Sequence, residues 1–372
     1  MLPLLAMAKP CPDSFWILGT AIFICLKVGA AMKKIATKDA VGQVLCQDIT
    51  RIIKGKVKDV AFRKAHVVRE EDIQTLHALG KFHLYVWEDQ EGMLHENEGA
   101  EILRGICQNA GITHTPPKEG KIELFAERDG LFRIDANRLA AINGIGQICI
   151  SARHTNTVVR AGDKLAGTRV VPLVIAREKM EEAKRLAGNR PLFELLPYRL
   201  KKAGLVVTGS EVAKGLIQDT FTPVIEEKLA EFGISVMGRE VVGDYKENIA
   251  NAITKLRGEG AELIVCTGGM SVDPDDATPG GIAQSGAKVV RYGAPVLPGN
   301  MFLLAYFDDG TPVIGLPGCV MYAKRTIFDL VLPRIAAGVV LCDGDFSAMG
   351  NGGLCLDCPD CRYPNCAFGK GC

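Results

Sequence analysis

The stretch TGGMSVDPDDATPGG (267–281) sets Gly268 and Gly269 between Thr267 and Ser271, then brings Asp273, Asp275 and Asp276 within four positions. Glycines reach backbone conformations closed to other residues and let a ligand approach the main chain. Backbone N–H groups turned together by such a loop at the start of a helix can receive an anion. Carboxylates beside them are hard oxygen ligands, and one or two carboxylates with substrate phosphates commonly hold Mg²⁺. The chemistry expected is capture of a phosphate-bearing anion, with Asp273, Asp275 and Asp276 as metal ligands and catalytic groups. A competing use is capping, with Asp275 or Asp276 closing the N-terminus of the helix after Pro274.

Three further stretches share this character. LVVT runs into GSEVAKG (209–215), RYGAP leads to VLPGN (296–300), and VIGL runs into PGCVMY (317–322). Each supplies glycines, with hydroxyls or carboxylates beside them. Open α/β sheets bind ligands outside the carboxyl ends of their strands, where such loops meet.

A second chemistry lies in GGLCLDCPDCRYPNCAFGKGC (352–372). Cys355, Cys358, Cys361 and Cys366 are spaced C-x2-C-x2-C-x4-C, with Cys372 beyond them. This is close to ferredoxin-like iron–sulfur spacing, although that form ends in C-x3-C-P. Zinc also accepts four thiolates, and redox-active thiols are the remaining alternative. The six histidines, His66, His77, His83, His95, His114 and His154, lack metal-site spacing and read as structural or surface groups. No Ser-His-Asp order appears.

The elements that must position these residues follow from periodicity. From Leu205 onward, strands and helices alternate: LVVT (205–208), PVIEEKLAEFG (223–233), ISVMGREVV (234–242), KENIANAITKLRGEG (246–260), LIVCT (263–267), ATPGGIAQSG, KVVRYG, TPVIGL (311–316) and YAKRTIFDLVLPRIAAG (322–338). The pattern predicts an α/β domain over 200–340, a mostly parallel sheet with helices on both faces. Before it, residues 32–190 read as a β-rich α+β domain with strands at HLYVW (83–87), KIELFA (121–126) and VVPLVIA (170–176) and a helix over 70–80. The charged segment 177–199, broken by Pro191 and Pro197, reads as the connector. A short Cys-rich, metal-binding tail (350–372) follows.

Composition bounds the rest. The 372 residues carry 44 Lys plus Arg against 43 Asp plus Glu. A net charge of +1 gives no electrostatic case for nucleic acid. Single cysteines in apolar contexts (Cys46, Cys107, Cys149, Cys266, Cys319) behave as small hydrophobes, which favours a reducing, cytoplasmic setting. Residues 1–31 contain the apolar run FWILGTAIFICL, which is short for a membrane span. This extension reads as non-native or untranslated, with Met32 as the natural start; an anchor and a cleaved signal are the alternatives.

The order of TGSE, TGG, PDD, TPG, YGAPVLPGN and GLPG along the chain resembles the molybdopterin-binding domain of the molybdenum cofactor biosynthesis family, and within it the molybdopterin molybdotransferases. The resemblance covers about 205–337 and extends more weakly to 39–50 and 158–170. It implies that Thr208, Gly209, Ser210 and Glu211 face the ligand with Thr267, Gly268, Gly269 and Ser271. Asp273, Asp275 and Asp276 would lie near metal and phosphate, and Pro298, Gly299, Asn300, Pro317 and Gly318 would line the pterin side. The implied reaction is Mg²⁺-dependent insertion of molybdate into molybdopterin or its adenylated form, with Lys214 and Lys324 as counter-charges. Two departures leave other reactions open: SVDPDDATP carries the PDDxT form of the adenylyltransferase and competence-protein relatives, and Cys319 follows the LPG turn. Adenylyl transfer and a non-catalytic pterin carrier or sensor are the alternatives. A homodimer and docking to a molybdenum enzyme complete the expected partners.

Overall fold

The computed structural model describes residues 32–53, 57–87, 92–209, 219–271, 273 and 276–371. The apolar extension 1–31, Ser210, Glu211, Lys214, Asp275 and Cys372 lie outside them. The chain divides into two compact units, Met1–Gln90 and Glu91–Cys372.

In the first unit, Met32–Ala36 pairs antiparallel with His83–Trp87, and Ile49–Ile53 pairs with Val57–Phe62. The helix Asp72–Ala78 buries Leu76 against Ala40, Leu45, Ile49, Val68 and Leu84. Its first residue, Asp72, accepts from the Arg69 N–H and contacts His66 Nε2 at 2.6 Å. His66 is thus engaged by a carboxylate at a helix start.

The second unit begins with antiparallel sheets. Ile112–His114, Lys121–Ala126, Lys164–Val170 and Ile148–Ala152 form four adjacent strands, and Gly130–Ile134 lies between Thr157–Val159 and Phe193–Leu196. KIELFA alternates, with Ile122, Leu124 and Ala126 buried, as one covered face requires. The covering helix Glu96–Cys107 starts in a capping box made by His95 and Glu98. Segment 177–199, expected as a connector, holds a helix (Arg177–Ala187) and the strand Phe193–Leu196. Met180 and Ala183 of that helix are fully buried, and the Phe193 ring meets Phe132 at 5.4 Å. The helix is the one that the helical pattern of this charged stretch predicts, and its buried apolar residues tie the segment into the core.

Beyond residue 200 the chain builds one six-stranded sheet. Its elements in order are β1 (Lys202–Thr208), α1 (Phe221–Ala230), β2 (Ser235–Val242), α2 (Lys246–Gly258), β3 (Leu263–Thr267), α3 (Thr278–Gln284), β4 (Lys288–Tyr292), β5 (Leu303–Tyr306), β6 (Pro312–Leu316) and α4 (Ile327–Ala336). A further helix, α5 (Asp343–Ala348), leads into the tail. The strands lie in the order β2-β1-β3-β6-β5-β4; β2, β1, β3 and β6 run parallel, β5 runs antiparallel to both of its neighbours, and β4 returns to the direction of β6.

The sheet is buried on both faces, so its central strands are continuously apolar: LIVCT and PVIGL have no exposed residue. Alternate side chains serve different cores. Leu205, Leu263, Val265, Ile314 and Leu316 pack with Ile225 and Leu229 of α1 and with the wholly buried α4. Val206, Ile264, Cys266 and Val313 pack with Ile249, Ile253 and Leu256 of α2 and with Ile282 of α3. Helices therefore cover both faces of an α/β sheet, as the alternation predicts. Among the described residues, no helix is long and apolar enough to cross a membrane.

Candidate functional site

The register of the sheet determines which loops meet. Val207 of β1 pairs with Thr267 of β3, and Thr267 pairs with Leu316 of β6. The loops after these three parallel strands, beginning at Gly209, Gly268 and Pro317, therefore leave one edge side by side. Strand β5 runs the other way: Leu303, at its start, pairs with both Gly315 and Tyr292. That reversal brings the VLPGN loop and the end of β4 to the same edge.

At the centre of the edge is a threonine cluster. Thr208, Thr267 and Thr278 are all buried. The Thr278 hydroxyl donates to the Gly268 carbonyl at 2.8 Å, and the Thr208 hydroxyl donates to the Thr267 carbonyl at 2.9 Å. Both protons are then used, and the two hydroxyl oxygens lie 3.1 Å apart. The Thr278 N–H also donates to the Gly269 carbonyl. These contacts tie the TGG turn to β1 on one side and to α3 on the other.

Both glycines are required by shape. Gly268 has φ +83°, and a Cβ there would collide with the Thr208 carbonyl; Gly269 has φ +53°, and a Cβ would lie 2.8 Å from Thr278 Oγ1. The Thr267 hydroxyl, by contrast, is buried and has no hydrogen-bond partner among the described residues. Burying a hydroxyl unpaired costs about 1–3 kcal/mol, a cost that the fold carries directly beside the glycine turn.

The acidic stretch folds on itself. The Asp273 N–H donates to Asp276 Oδ2 at 3.2 Å, and the Asp276 N–H donates to the Asp273 carbonyl at 3.0 Å. Helix α3 has Ala277 at its N-cap and no side-chain cap, so Asp276 closes the preceding turn and does not cap the helix. Asp273 is exposed. Tyr292 joins the group from the end of β4, its hydroxyl donating to the Met270 carbonyl at 3.2 Å. Burial, with the Asp276 carboxylate nearby, raises the phenol above its usual pKa. The Ser271 carbonyl lies 3.4 Å from the same hydroxyl.

On the other side of β3, Leu297–Pro298 is a cis peptide and Gly299 has φ +117°. A Cβ on Gly299 would meet Ile327 Cγ2 at 2.6 Å, and the Ile327 N–H donates to the Pro298 carbonyl, so this loop is seated on the start of α4. The Asn300 carbonyl accepts from Ala294. Pro317 opens a short 3-10 turn, Gly318–Met321, and a Cβ on Gly318 would meet no atom of the described residues within 4 Å. Gly318 therefore borders open space. Burial raises the thiol pKa of its neighbour Cys319.

The structure thus gathers Thr208, Gly209, Thr267, Gly268, Gly269, Ser271, Asp273, Asp276, Pro298, Gly299, Asn300, Pro317 and Gly318 around one sheet edge. Ser210, Glu211 and Asp275 fall outside the described residues. Lys324 points elsewhere: its ammonium donates to the Cys358 and Pro359 carbonyls of the tail. Thr278 and Tyr292 were not legible as site residues. Thr278 is two residues past Asp276 in a stretch that reads only as a helix start, and Tyr292 reaches the site through an antiparallel reversal invisible to local spacing.

Cys355, Cys358, Cys361 and Cys366 line one cavity of 470 Å³ together with Lys324 and Arg325. Among the described residues, no three His, Cys, Asp or Glu side chains converge closely enough to hold a metal ion.

Residues 204–337 match the family described as "Probable molybdopterin binding domain", and residues 34–88 match a domain of unknown function. The CinA-like protein of Mycobacterium sp. (strain MCS) is 37% identical over 83 residues, 22% of this chain and 20% of that protein. The CinA-like protein of Mycobacterium tuberculosis (strain ATCC 25177 / H37Ra) is 35% identical over 77 residues, 21% and 18% of the two chains. This chain therefore spans about a fifth of the length of the curated relatives it matches. Among solved structures, the molybdopterin biosynthesis enzyme MoaB of Thermus thermophilus is similar at 22% identity and a TM-score of 0.32, covering 37% of this chain and 98% of that one. The molybdopterin biosynthesis Mog protein of Mycobacterium ulcerans is similar at 20% identity and a TM-score of 0.30, covering 36% and 92%. Residues 204–337, the segment that forms this sheet and its loops, belong to the molybdopterin-binding domain family.

Proposed function

We propose that the chain acts in molybdenum cofactor biosynthesis, inserting molybdate into adenylated molybdopterin held across the loops of the sheet edge. The single observation that supports this most is the buried, unpartnered Thr267 hydroxyl beside two left-handed glycines. A buried hydroxyl without a partner costs about 1–3 kcal/mol, and a shift of the glycine turn that let it meet a polar ligand atom would recover that cost.

The residues present fit a phosphate-bearing pterin. Gly268 and Gly269 would receive the phosphate, with the Thr267 and Ser271 hydroxyls beside them. Gly318 would leave room for the pterin, with Gly209, Pro298, Gly299, Asn300 and Pro317 as its walls. Asp273, Asp275 and Asp276 would hold Mg²⁺, whose charge would neutralise the pyrophosphate as its anhydride is cleaved. Asp276 would do so with one oxygen already accepting from the Asp273 N–H. Positioning and charge neutralisation supply most of the rate in such chemistry, and the threonine cluster would keep the glycine turn fixed during the reaction.

The test is incubation of the protein with Mg²⁺ and either molybdopterin plus ATP or adenylated molybdopterin plus molybdate. AMP released only from the adenylated substrate, dependent on molybdate, supports insertion. New adenylate formed from ATP would replace this reading with adenylyl transfer, and tight binding without turnover would replace it with a carrier. Single replacement of Asp273, Asp275 and Asp276 by Asn abolishes turnover for at least one; if none matters, the metal assignment fails.

A further inference from the structure

The Cys-rich tail is built into the fold. Leu297, the residue before the cis proline, is hydrogen-bonded on both sides of its backbone to the tail: its N–H donates to the Gly353 carbonyl and its carbonyl accepts from the Cys355 N–H, both at 2.8 Å. The Tyr363 hydroxyl donates to the Asp329 carbonyl at 2.9 Å, and the Arg325 guanidinium lies 5.0 Å from the centre of the Tyr363 ring. Phe368 is buried in the core around α4. Lys370 Nζ donates to Thr157 Oγ1 at 2.9 Å. Far more is spent on seating this segment than a passive end of chain needs.

What this seating shapes is the cavity lined by Cys355, Cys358, Cys361 and Cys366. Cys355 and Cys366 pack at the edge of the hydrophobic core, while Cys358 and Cys361 are exposed. Two of the four are thus on the inner wall and two on the solvent side. Lys324 and Arg325 border the same space, and cations suit a group carrying several thiolates.

We infer that this cavity takes an iron–sulfur cluster ligated by Cys355, Cys358, Cys361 and Cys366, and that loading it stiffens the Leu297–Gly299 loop. Two observations favour a cluster over a zinc ion. Three of the ligands follow at two-residue intervals in one loop, as in ferredoxin-type sites; four-thiolate zinc sites usually draw on two separated pairs. The four cysteines line one cavity of 470 Å³, two on its inner wall and two on its solvent side, a spread that a polynuclear group spans and a single ion does not; no three of them converge in this structure, so loading must draw them together. Coupling to the loop follows because Cys355 is at once a proposed ligand and the donor to the Leu297 carbonyl. None of this depends on the ligand of the sheet edge.

The test uses the full chain, purified without oxygen and reconstituted with equal amounts of ferrous and ferric iron and with sulfide, beside a parallel sample given Zn²⁺. The expected result is about four iron and four sulfide per chain, with broad visible absorption that dithionite bleaches. Cys355→Ser, Cys358→Ser, Cys361→Ser and Cys366→Ser each lose most of the iron, whereas Cys149→Ser, an exposed cysteine on a distant strand, keeps it. Amide exchange at Leu297 and Cys355 slows on loading. Stoichiometric zinc without iron and sulfide, no metal at all, or equal loss in Cys149→Ser overturns the cluster, and unchanged amide exchange overturns the coupling. Because metal content and exchange are read without any pterin, failure here leaves the proposed reaction untouched.

Discussion

The hydroxyl oxygens of Thr208 and Thr278, 70 residues apart in sequence, lie 3.1 Å from one another at the end of the central strands. Through them the last residue of β1 and the first residue of α3 hold the glycine turn between them.

Thr278→Val removes the proton given to the Gly268 carbonyl and leaves that buried acceptor unsatisfied. It is expected to cost about 1–3 kcal/mol, read as a lower urea midpoint. Thr267→Val has the opposite sign, because the hydroxyl it removes has no partner. The expected outcome is an equal or higher Tm with weaker pterin binding, measured by calorimetry. A Thr267→Val protein that is destabilised but binds normally would sink the reading of this hydroxyl as a ligand group.

Two glycines of the site separate shape from space. Gly268→Ala forces a methyl group into the Thr208 carbonyl at a left-handed φ and is expected to lose about 2 kcal/mol or more of stability. Gly318→Ala meets nothing, so stability changes by no more than about 0.5 kcal/mol. Its effect is expected on ligand affinity, and the two measurements together separate a folding role from an approach role.

Acid stability carries a signature at the hairpin between β5 and β6. The Thr311 N–H, followed by the Arg257 guanidinium and the Thr311 hydroxyl, holds the Asp309 carboxyl down at about 2 from the usual 3.8. A depressed carboxyl stabilises the fold above its unfolded pKa, and that contribution fades as pH falls from about 4 towards 2. Asp309 is half exposed, so the contribution is less than about 1 kcal/mol. Asp309→Asn is therefore expected to flatten the pH dependence of the urea midpoint between those values while changing little below them.

Thiol chemistry divides by depth. Burial pushes Cys107 up to about 12 and Cys266 further still, keeping both protonated at neutral pH. Iodoacetamide labelling of the native metal-free protein is expected to reach Cys149, Cys358 and Cys361, which are exposed, and to spare Cys107 and Cys266 until the chain unfolds. Mass spectrometry of the labelled peptides checks this, and fast labelling of Cys266 would mean that β3 opens locally.

The parts legible in the sequence were those whose cause is local. LIVCT and TPVIGL could be read as buried strands because both faces of the sheet are covered, and their apolar runs say so without a partner. Amphipathic α2 was legible for the same reason, with Ile249, Ile253 and Leu256 recurring at helical spacing. LLAY (303–306) was not, since an antiparallel strand joined by a short turn has no intervening helix to announce it. The site followed the same division. Glycines and aspartates advertise a loop by composition, whereas Thr278 and Tyr292 matter only through hydrogen bonds to distant backbone. The tail gave its spacing but not its seat on Leu297.

The double bond of Leu297 to Gly353 and Cys355 also sets an order of assembly. As the chain leaves the ribosome, every strand of the sheet has emerged before the segment that fastens the VLPGN loop. That loop is thus fastened by residues that emerge after every strand, and a nascent chain already carrying the whole sheet still lacks the clasp on Leu297.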